Sequence, residues 1–530
     1  MPFRTNNLFL SVFSGLLLAV SWYWHLTILV FFAFVPLLML EDNLTKSNDP
    51  KRKLKLFFLS YLTFLIFNLG VTWWVVYASF GGAVMAFIFN TLFMAMVFAI
   101  FSNFKKVFNK AWGIWLLVPL WIAYEYGHSS WDLAWIWLTL GNVFAFNHNW
   151  VQWYEFTGTS GGTLWVLTVN ILVFQVLTNY QKLKFLSTPV LKIAGAIIVP
   201  VLFSYTIALI REPLQTKTKP ASTIVVQPNM DPYNDKFVLD YELQFSRLLK
   251  LISGKVTSET DYLVLPETFI VDNINEELLD EAEPLTLFYD SILRKFPDLK
   301  IVVGASSYLF YRDKKDVTVT ARKHESGEYF DFFNTALQLD LKGRQLYHKS
   351  KLVPGAELMP FPGLLKPLES LALDMGGTTG SLGLQKERTV FKDAKSNMGV
   401  APVICYESVF SDYITEYIRN GATFIFIITN DGWWDDTPGY KQHLNYARLR
   451  AIENRRQIAR SANTGVSCFI DEFGNISNAT KWWEEAVIEK NIYPNNELTF
   501  FSRFGDLISY ISIGVSFIII VLFLIYRVKK

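Results

Sequence analysis

The chain has 530 residues, 51% of them apolar with 17 Trp and 45 Phe, and a formal net charge of +2. So small a charge points to neither nucleic acid nor an acidic partner, and the length leaves room for several domains. The apolar residues are concentrated: 1 to about 210 and 507–526 are dominated by long uncharged runs, whereas 222–495 reads as an ordinary soluble domain.

A helix needs about 20 mainly apolar residues to cross a bilayer. The candidates are 8–22, 26–40, 56–77, 83–101, 112–126, 161–177, 193–210 and 507–526. Read as one helix, 8–40 would be about 50 Å long against a hydrocarbon core of about 30 Å, so the expectation is eight spans. Cations alternate between the loops. Arg4 precedes the first span. Lys46, Lys51, Arg52, Lys53 and Lys55 follow the second, Lys105, Lys106 and Lys110 the fourth, and Lys182, Lys184 and Lys192 the sixth; Arg527, Lys529 and Lys530 close the tail. The loops 23–25, 78–82 and 127–160 contain no Lys or Arg. This pattern puts both termini in the cytoplasm and 222–495 outside. Ala19-Val20-Ser21 resembles a signal cleavage site, but one preceding basic residue and seven later spans favour a retained helix.

The loop 127–160 is rich in Trp and Tyr, which collect at the membrane–water boundary. An interfacial segment and extra packing between spans both fit it. In the soluble region, strands are expected at 222–227, 262–265, 300–303, 331–339, 345–352, 400–404 and 423–429. Helices are expected at 241–251, 276–295, 411–419 and 441–462, with a hairpin at 471–475. Such an alternation describes a layered α/β domain with mixed sheets.

The run Val400 to Ile404 ends abruptly in Cys405-Tyr406-Glu407 before a helix, where open α/β sheets place their ligands. Backbone N–H groups and a helix N-terminus there favour a thiolate and an oxyanion. On position alone a buried structural cysteine fits equally well. Two other segments bear on the choice. Leu263-Val264-Leu265-Pro266-Glu267 is a buried strand ending on a carboxylate, and Tyr347-His348-Lys349 is a strand carrying an ammonium, followed by Glu357. A thiol of pKa about 8.5 needs a base or cation nearby to act as a nucleophile; Glu267 can take its proton and Lys349 can neutralise an oxyanion. No metal is implied, since the six histidines lack ligand spacing and no Cys-x-x-Cys occurs.

The motifs around Glu267, Lys349 to Glu357 and Cys405 to Glu407 resemble the Glu-Lys-Cys set of the nitrilase superfamily. With Asn430-Asp431-Gly432-Trp433-Trp434 and the flanking spans, the whole chain resembles the apolipoprotein N-acyltransferases of bacteria. The resemblance implies a membrane α-helical bundle of eight spans plus an α/β nitrilase-like αββα sandwich. In domains, this means a seven-span bundle at 1–211 with an interfacial segment at 127–160, a catalytic domain at 222–495 and a C-terminal span at 507–526. It implies a multi-pass protein of the bacterial inner membrane with a periplasmic catalytic domain. The activity implied is transfer of a fatty acyl chain from a phospholipid, via a Cys405 thioester, to the N-terminal amine of a diacylglyceryl-modified apolipoprotein, with no cofactor. Glu267 is then the base, Lys349 the oxyanion cation and Cys405 the nucleophile. Glu357, Tyr406, Glu407 and Asn334 are supporting residues, and Trp433 and Trp434 bind substrate on a lid-like loop. Gly355-Ala356 departs from the family, which often has an aromatic residue and Gly there. A membrane-tethered nitrilase-like amidase or hydrolase is the alternative. Cys405 and Cys468 are expected to be unpaired.

Overall fold

Six helices in the computed structural model are long and apolar enough to cross a membrane, by length and composition: Leu26–Lys46, Arg52–Tyr77, Phe80–Val107, Tyr154–Thr178, Thr188–Thr216 and Leu507–Val528. The structure describes residues 6–108, 110–179, 187–365, 380–393 and 396–529, so Arg4, Lys182, Lys184 and Lys530 of the charge pattern lie outside the described residues. The expected count of eight is therefore corrected to six among the described residues. The first expected span is a helix of 15 residues, Asn7–Ser21, about 22 Å long and short of a ~30 Å core. The fifth is a helix of 12 residues, Leu117–His128, entered through the 3-10 turn Ile114–Leu116.

The chain divides into two units. One comprises Met1–Val76, Phe80–Arg211 and Phe504–Lys530 and holds the apolar helices. Within it, the aromatic stretch 127–160 is a series of 3-10 turns, Ile136–Leu138, Leu140–Ala145 and His148–Trp150. Trp135, Trp137 and Tyr154 are buried, and Trp137 meets Trp74 edge-on at 5.0 Å between ring centroids. These rings are thus packing material of the helical unit. Its buried charges are met internally, as a low-dielectric setting demands: Glu41 receives Lys105 and Ser102, and Glu125 receives Thr163, Trp121 and the Leu140 N–H.

The other unit, Tyr77–Ser79 and Glu212–Arg503, is built on two sheets. The first contains β1 (Ala221–Gln227), β2 (Tyr262–Val264), β3 (Ile270–Asn275), β4 (Lys300–Tyr311), β5 (Arg322–Lys323), β6 (Tyr329–Asp340), β7 (Gly343–His348) and a late strand, Ala486–Ile492, which pairs with β1. The second contains β8 (Phe391–Lys392), β9 (Gly399–Ile404), β10 (Phe424–Thr429), β11 (Ile458–Ala462), β12 (Cys468–Ile470) and β13 (Ile476–Ser477). Each sheet has a parallel centre: β1-β2-β4 in one and β9-β10-β11 in the other. Parallel strands are covered on both faces, which is why β9 and β10 read as continuous apolar runs and are buried throughout. Pro402 is tolerated inside β9 because β8 pairs only with Gly399 and Val400, leaving no partner to miss its absent N–H.

The sheets face each other, with Tyr262 edge-on to Phe426 at 5.3 Å and Ser461 donating to the Val226 carbonyl at 2.8 Å. Tyr241, Phe245 and Leu248 of the helix Tyr241–Ile252, with Phe288 and Ile292, pack on the outer face of the first sheet. The helices Ser411–Arg419 and Pro438–Asn454 go with the second. The result is the αββα order.

Three expected elements differ. The helix expected over 441–462 ends at Asn454, where Arg455 turns left-handed at φ +48, and 458–462 is strand β11. No Gly or Pro marks that break, so periodicity ran through it. The helix expected over 276–295 begins only at Glu283, with Pro284 in its first turn. Strand β7 stops at His348, one residue before Lys349.

Candidate active site

Glu267 leaves β2 through Leu265 and Pro266. Gly304 of β4 lies directly beneath it: a Cβ there would sit 2.4 Å from the Thr268 nitrogen and 2.6 Å from the Glu267 Cα. Only a glycine lets the carboxylate-bearing turn lie this close to the sheet. Thr268 itself is left-handed at φ +50.

The Glu267 side chain is buried and saturated with donors. Its Oε1 accepts from Lys349 Nζ at 3.0 Å and from Asn334 Nδ2 at 2.8 Å, and its Oε2 accepts from the Asn430 N–H at 3.0 Å. Lys349 Nζ also donates to Glu357 Oε1 at 2.8 Å, and Asn334 Nδ2 reaches the same oxygen at 3.1 Å. Glu357 is held by the Val353 N–H on its other oxygen at 2.9 Å. Lys349, 1% exposed, thus bridges two carboxylates. Burial alone would lower its pKa, but the charges of Glu267 and Glu357 outweigh burial and raise it well above the ordinary lysine value. Burial likewise pushes the Glu267 carboxyl up, and Lys349 more than reverses this, holding it below the usual range.

Cys405 follows β9 directly, opening the 3-10 turn Cys405–Val409. Its φ is +49, a strained setting for a non-glycine residue of the kind found where a side chain must be aimed. Burial raises the thiol pKa, the negative charge of Glu267 adds to this, and Lys349 and a hydrogen bond with Thr429 oppose it. The resting group is therefore a thiol. This differs from the expectation that the strand-end setting favours a thiolate: burial beside a carboxylate dominates, and the helix that follows begins only at Ser411.

The other expected residues occupy distinct places. Glu407 is fully buried and lies in a different network: its Oε1 accepts from Tyr347 OH and Tyr413 OH, each at 2.6 Å, and from the Ser350 N–H at 2.7 Å, while Oε2 accepts from the Ile404 N–H at 2.8 Å. It ties the segment after Lys349 to the turn before Cys405. Tyr406 packs edge-on against Phe410 at 5.1 Å. Trp433 and Trp434 lie half-buried on the 3-10 turn Asp431–Trp434. Trp433 meets Tyr233 edge-on at 5.1 Å and stacks on Phe237 at 6.4 Å; Trp434 meets His443 at 5.4 Å.

Two features escaped the sequence reading. Lys236 is 2% exposed and donates to the main-chain oxygen of Glu267 at 2.9 Å. Burial lowers its pKa to about 8 even though the charges of Glu267 and Cys405 act to raise it. Nothing in its polar surroundings, Asp231 to Asp235, signals a buried ammonium. The second feature is a fully buried group behind the thiol. His443 Nε2 faces the Cys405 carbonyl oxygen at 3.1 Å and Ser408 Oγ at 2.8 Å, while its Nδ1 faces Asp431 Oδ1 at 3.0 Å. Asp431 also accepts from Arg460 at 2.6 Å and from Thr429 at 2.9 Å. Burial would raise its pKa, but Arg460 and His443 keep it depressed. These residues fix the backbone turn that aims Cys405. On a helix with no ligand spacing, His443 carried no signal of its own.

Residues 225–496 match the family described as Carbon-nitrogen hydrolase, and residues 14–172 match the Apolipoprotein N-acyltransferase N-terminal domain. An Apolipoprotein N-acyltransferase of Chlorobaculum tepidum is 31% identical over 525 residues, covering 96% of this chain and 95% of that protein. One from Geobacter metallireducens is 24% identical, covering 94% and 92%. A nitrilase-superfamily protein of Saccharomyces cerevisiae with a solved structure is 16% identical, covering 54% of this chain and 95% of that chain at a TM-score of 0.37. With a relative at 31% identity matched nearly end to end, and with both domains recognised in order, the chain belongs to the apolipoprotein N-acyltransferase family.

Proposed function

We propose that this protein N-acylates lipoproteins: it transfers a fatty acyl group from a glycerophospholipid to the N-terminal amine of an S-diacylglyceryl-cysteine acceptor. The observation that carries this reading is the cluster in which Lys349 joins Glu267 and Glu357 and acts electrostatically on Cys405, in a chain that also bears six membrane-length apolar helices. The reading divides the chain into a helical bundle at 1–211, a catalytic domain at 222–495 and a C-terminal span at 507–526. The alternating cationic loops support a bacterial inner-membrane address with both termini cytoplasmic and the catalytic domain periplasmic.

Glu267 is the base and Cys405 the nucleophile. The thiol proton passes to Glu267 as sulfur attacks an ester carbonyl of the phospholipid. Lys349 and main-chain N–H groups at the Cys405 turn stabilise the tetrahedral oxyanion. The C–O bond breaks, Glu267 returns the proton to the departing lysophospholipid oxygen, and an acyl thioester remains. The acceptor amine then attacks that carbonyl and gives its proton to Glu267; an amide forms and the released sulfur takes the proton back. Lys236 gives the cluster its charge balance: two carboxylates and two ammonium groups sum to zero while the thiol is neutral, and still do after its proton moves to Glu267. Asn334 and Glu357 hold Lys349 and Glu267 in register, and Glu407 and Tyr406 support the turn. Trp433 and Trp434 form part of a flap over the acyl chain.

The test is mass spectrometry of the purified protein after incubation with phospholipid alone. A fatty acyl thioester on Cys405 is expected, followed by an acylated amine once a diacylglyceryl lipopeptide is added. Acyl-enzyme that loses its chain to water at the same rate with and without the lipopeptide would instead support a hydrolase.

A further inference from the structure

The helical unit contains a cleft where the end of the helix Val35–Lys46, the start of Arg52–Thr72 and the end of Phe80–Val107 come together. Leu44 and Leu56 give it an apolar lining, Asn103 adds an amide, and Arg52, Lys53 and Lys106 supply three cations. Among the described residues no Asp or Glu lines it; Thr45 and Ser102 of the lining donate to Glu41, which is itself paired with Lys105. The contrast with neighbouring cations is informative. Lys46 pairs with Asp42 at 2.5 Å, Lys55 pairs with Asp49 at 2.5 Å, and Lys105 is buried against Glu41. Among the described residues, Arg52, Lys53 and Lys106 make no ion pair. Lys46, Lys55 and Lys105 are neutralised, whereas the three cations lining the cleft are not.

Three uncompensated cations in one concave place repel each other unless an anion sits among them. The helix surface below gives the anion a character. One and two turns beyond Lys53 on the same face come Phe57 and Tyr61, both half-buried, with ring centroids 6.4 Å apart. A ligand that is anionic at the top and apolar below matches this order. The missing carboxylates matter as well, because no described residue of the lining offers a countercharge to the ammonium of a zwitterionic headgroup.

We propose that this cleft is a binding site for the phosphate of an anionic phospholipid, held by Arg52, Lys53 and Lys106 with its acyl chains along Phe57 and Tyr61. The site is separate from Cys405 and its ligand is not consumed. On the orientation given by the cationic loops, it samples the leaflet opposite the one that supplies the acyl donor.

The experiment uses the full-length protein, delipidated in detergent and returned to nanodiscs of phosphatidylcholine with or without phosphatidylglycerol. Native mass spectrometry reads which lipid stays bound on release. Wild type is expected to retain phosphatidylglycerol over phosphatidylcholine. The triple variant Arg52→Gln, Lys53→Gln, Lys106→Gln is expected to lose that preference by on the order of tenfold or more, since a surface cation contributes appreciably to holding an anionic lipid. Its burst of acyl-enzyme at Cys405 should match that of wild type. If the triple variant does not fold, Lys106→Gln alone, at an exposed position, should still reduce the preference. Equal retention of the two lipids by wild type, or an unchanged preference in the variants, overturns the proposal. Inorganic phosphate is the third arm. Should it stabilise the protein in phosphatidylcholine nanodiscs as much as phosphatidylglycerol does, the site is one for free phosphate and the lipid assignment fails.

Discussion

Replacing Lys236 with Met removes one positive charge from a cluster in which two carboxylates and two ammonium groups now balance. The variant would start one charge more negative, and moving the Cys405 proton would create a thiolate opposed by Glu357 with Lys349 as sole cation. An opposite charge within about 4–6 Å shifts a pKa by ~1–3 units, and each unit is worth about 1.4 kcal/mol. Taking ~2–3 kcal/mol, acyl-enzyme formation should slow on the order of 30- to 150-fold. Met also leaves the Glu267 carbonyl oxygen without its 2.9 Å donor, which costs about 1–3 kcal/mol of stability. Lys236→Arg is the control, since it keeps the charge and a donor. The assay is a rapid-quench burst of acylated Cys405 across pH, with folding followed in parallel. The pKa of Lys236, near 8 in the folded protein, gives the profile its sign: below 8 the ammonium is present, and as pH rises through about 8 its charge is lost and acylation falls. Lys349 cannot supply that limb, because its pKa is raised. Wild type should therefore show an alkaline limb near 8 that is absent in Lys236→Met and displaced upward in Lys236→Arg. A folded Lys236→Met protein with a wild-type burst and an unmoved limb would refute the charge-balance argument.

Glu267→Gln should abolish both half-reactions, because the amide cannot take the proton and, with its oxygen kept on Lys349 and Asn334, would turn a donor towards the Asn430 N–H; a normal single-turnover burst would exclude Glu267 as base. Lys349→Met should lose ~3 kcal/mol of oxyanion stabilisation, a fall on the order of 10²-fold in the burst rate. His443→Ala strips partners from Asp431, Ser408 and the Cys405 carbonyl, all buried; urea unfolding should report a loss of ~2–4 kcal/mol, and an unchanged midpoint would deny it a positioning role. Iodoacetamide on the native, unreduced protein should label Cys405, which is 8% exposed and has Glu267 and Lys349 acting on it, and spare Cys468, which is unpaired and fully enclosed in β12; recovery of a peptide linking the two cysteines would contradict this.

The sheet centres were legible because each parallel strand is a short apolar run ending on a chemical group: Val264 before Glu267 and Ile404 before Cys405. Lys349 was legible by motif, although its strand is one residue shorter than its pattern suggests. What periodicity could not resolve was the passage from Asn454 to β11, a helix-to-strand change made through a left-handed arginine with no glycine to mark it. Nor could composition separate a 15-residue apolar helix from a crossing one. Lys236 and His443 stayed hidden for a shared reason. A buried cation and a buried imidazole are defined by what folds over them, and neighbours in sequence do not show that.

The donors that hold the Glu267 carboxylate come from residues 67, 82 and 163 positions further along the chain. Contacts so distant form late, after the loops between them have closed and that entropy has been lost. A chain emerging from synthesis holds Glu267 long before Asn430 exists to anchor it. Until both sheets have docked, Cys405 has no base, and Glu267 lacks the Asn430 N–H on its second oxygen. Reactivity is thus an emergent property of completed assembly, and a nascent or half-folded molecule in a lipid-rich setting carries only an ordinary thiol. The same dependence makes acyl-enzyme formation a stringent reporter of refolding, one that should lag behind the recovery of secondary structure.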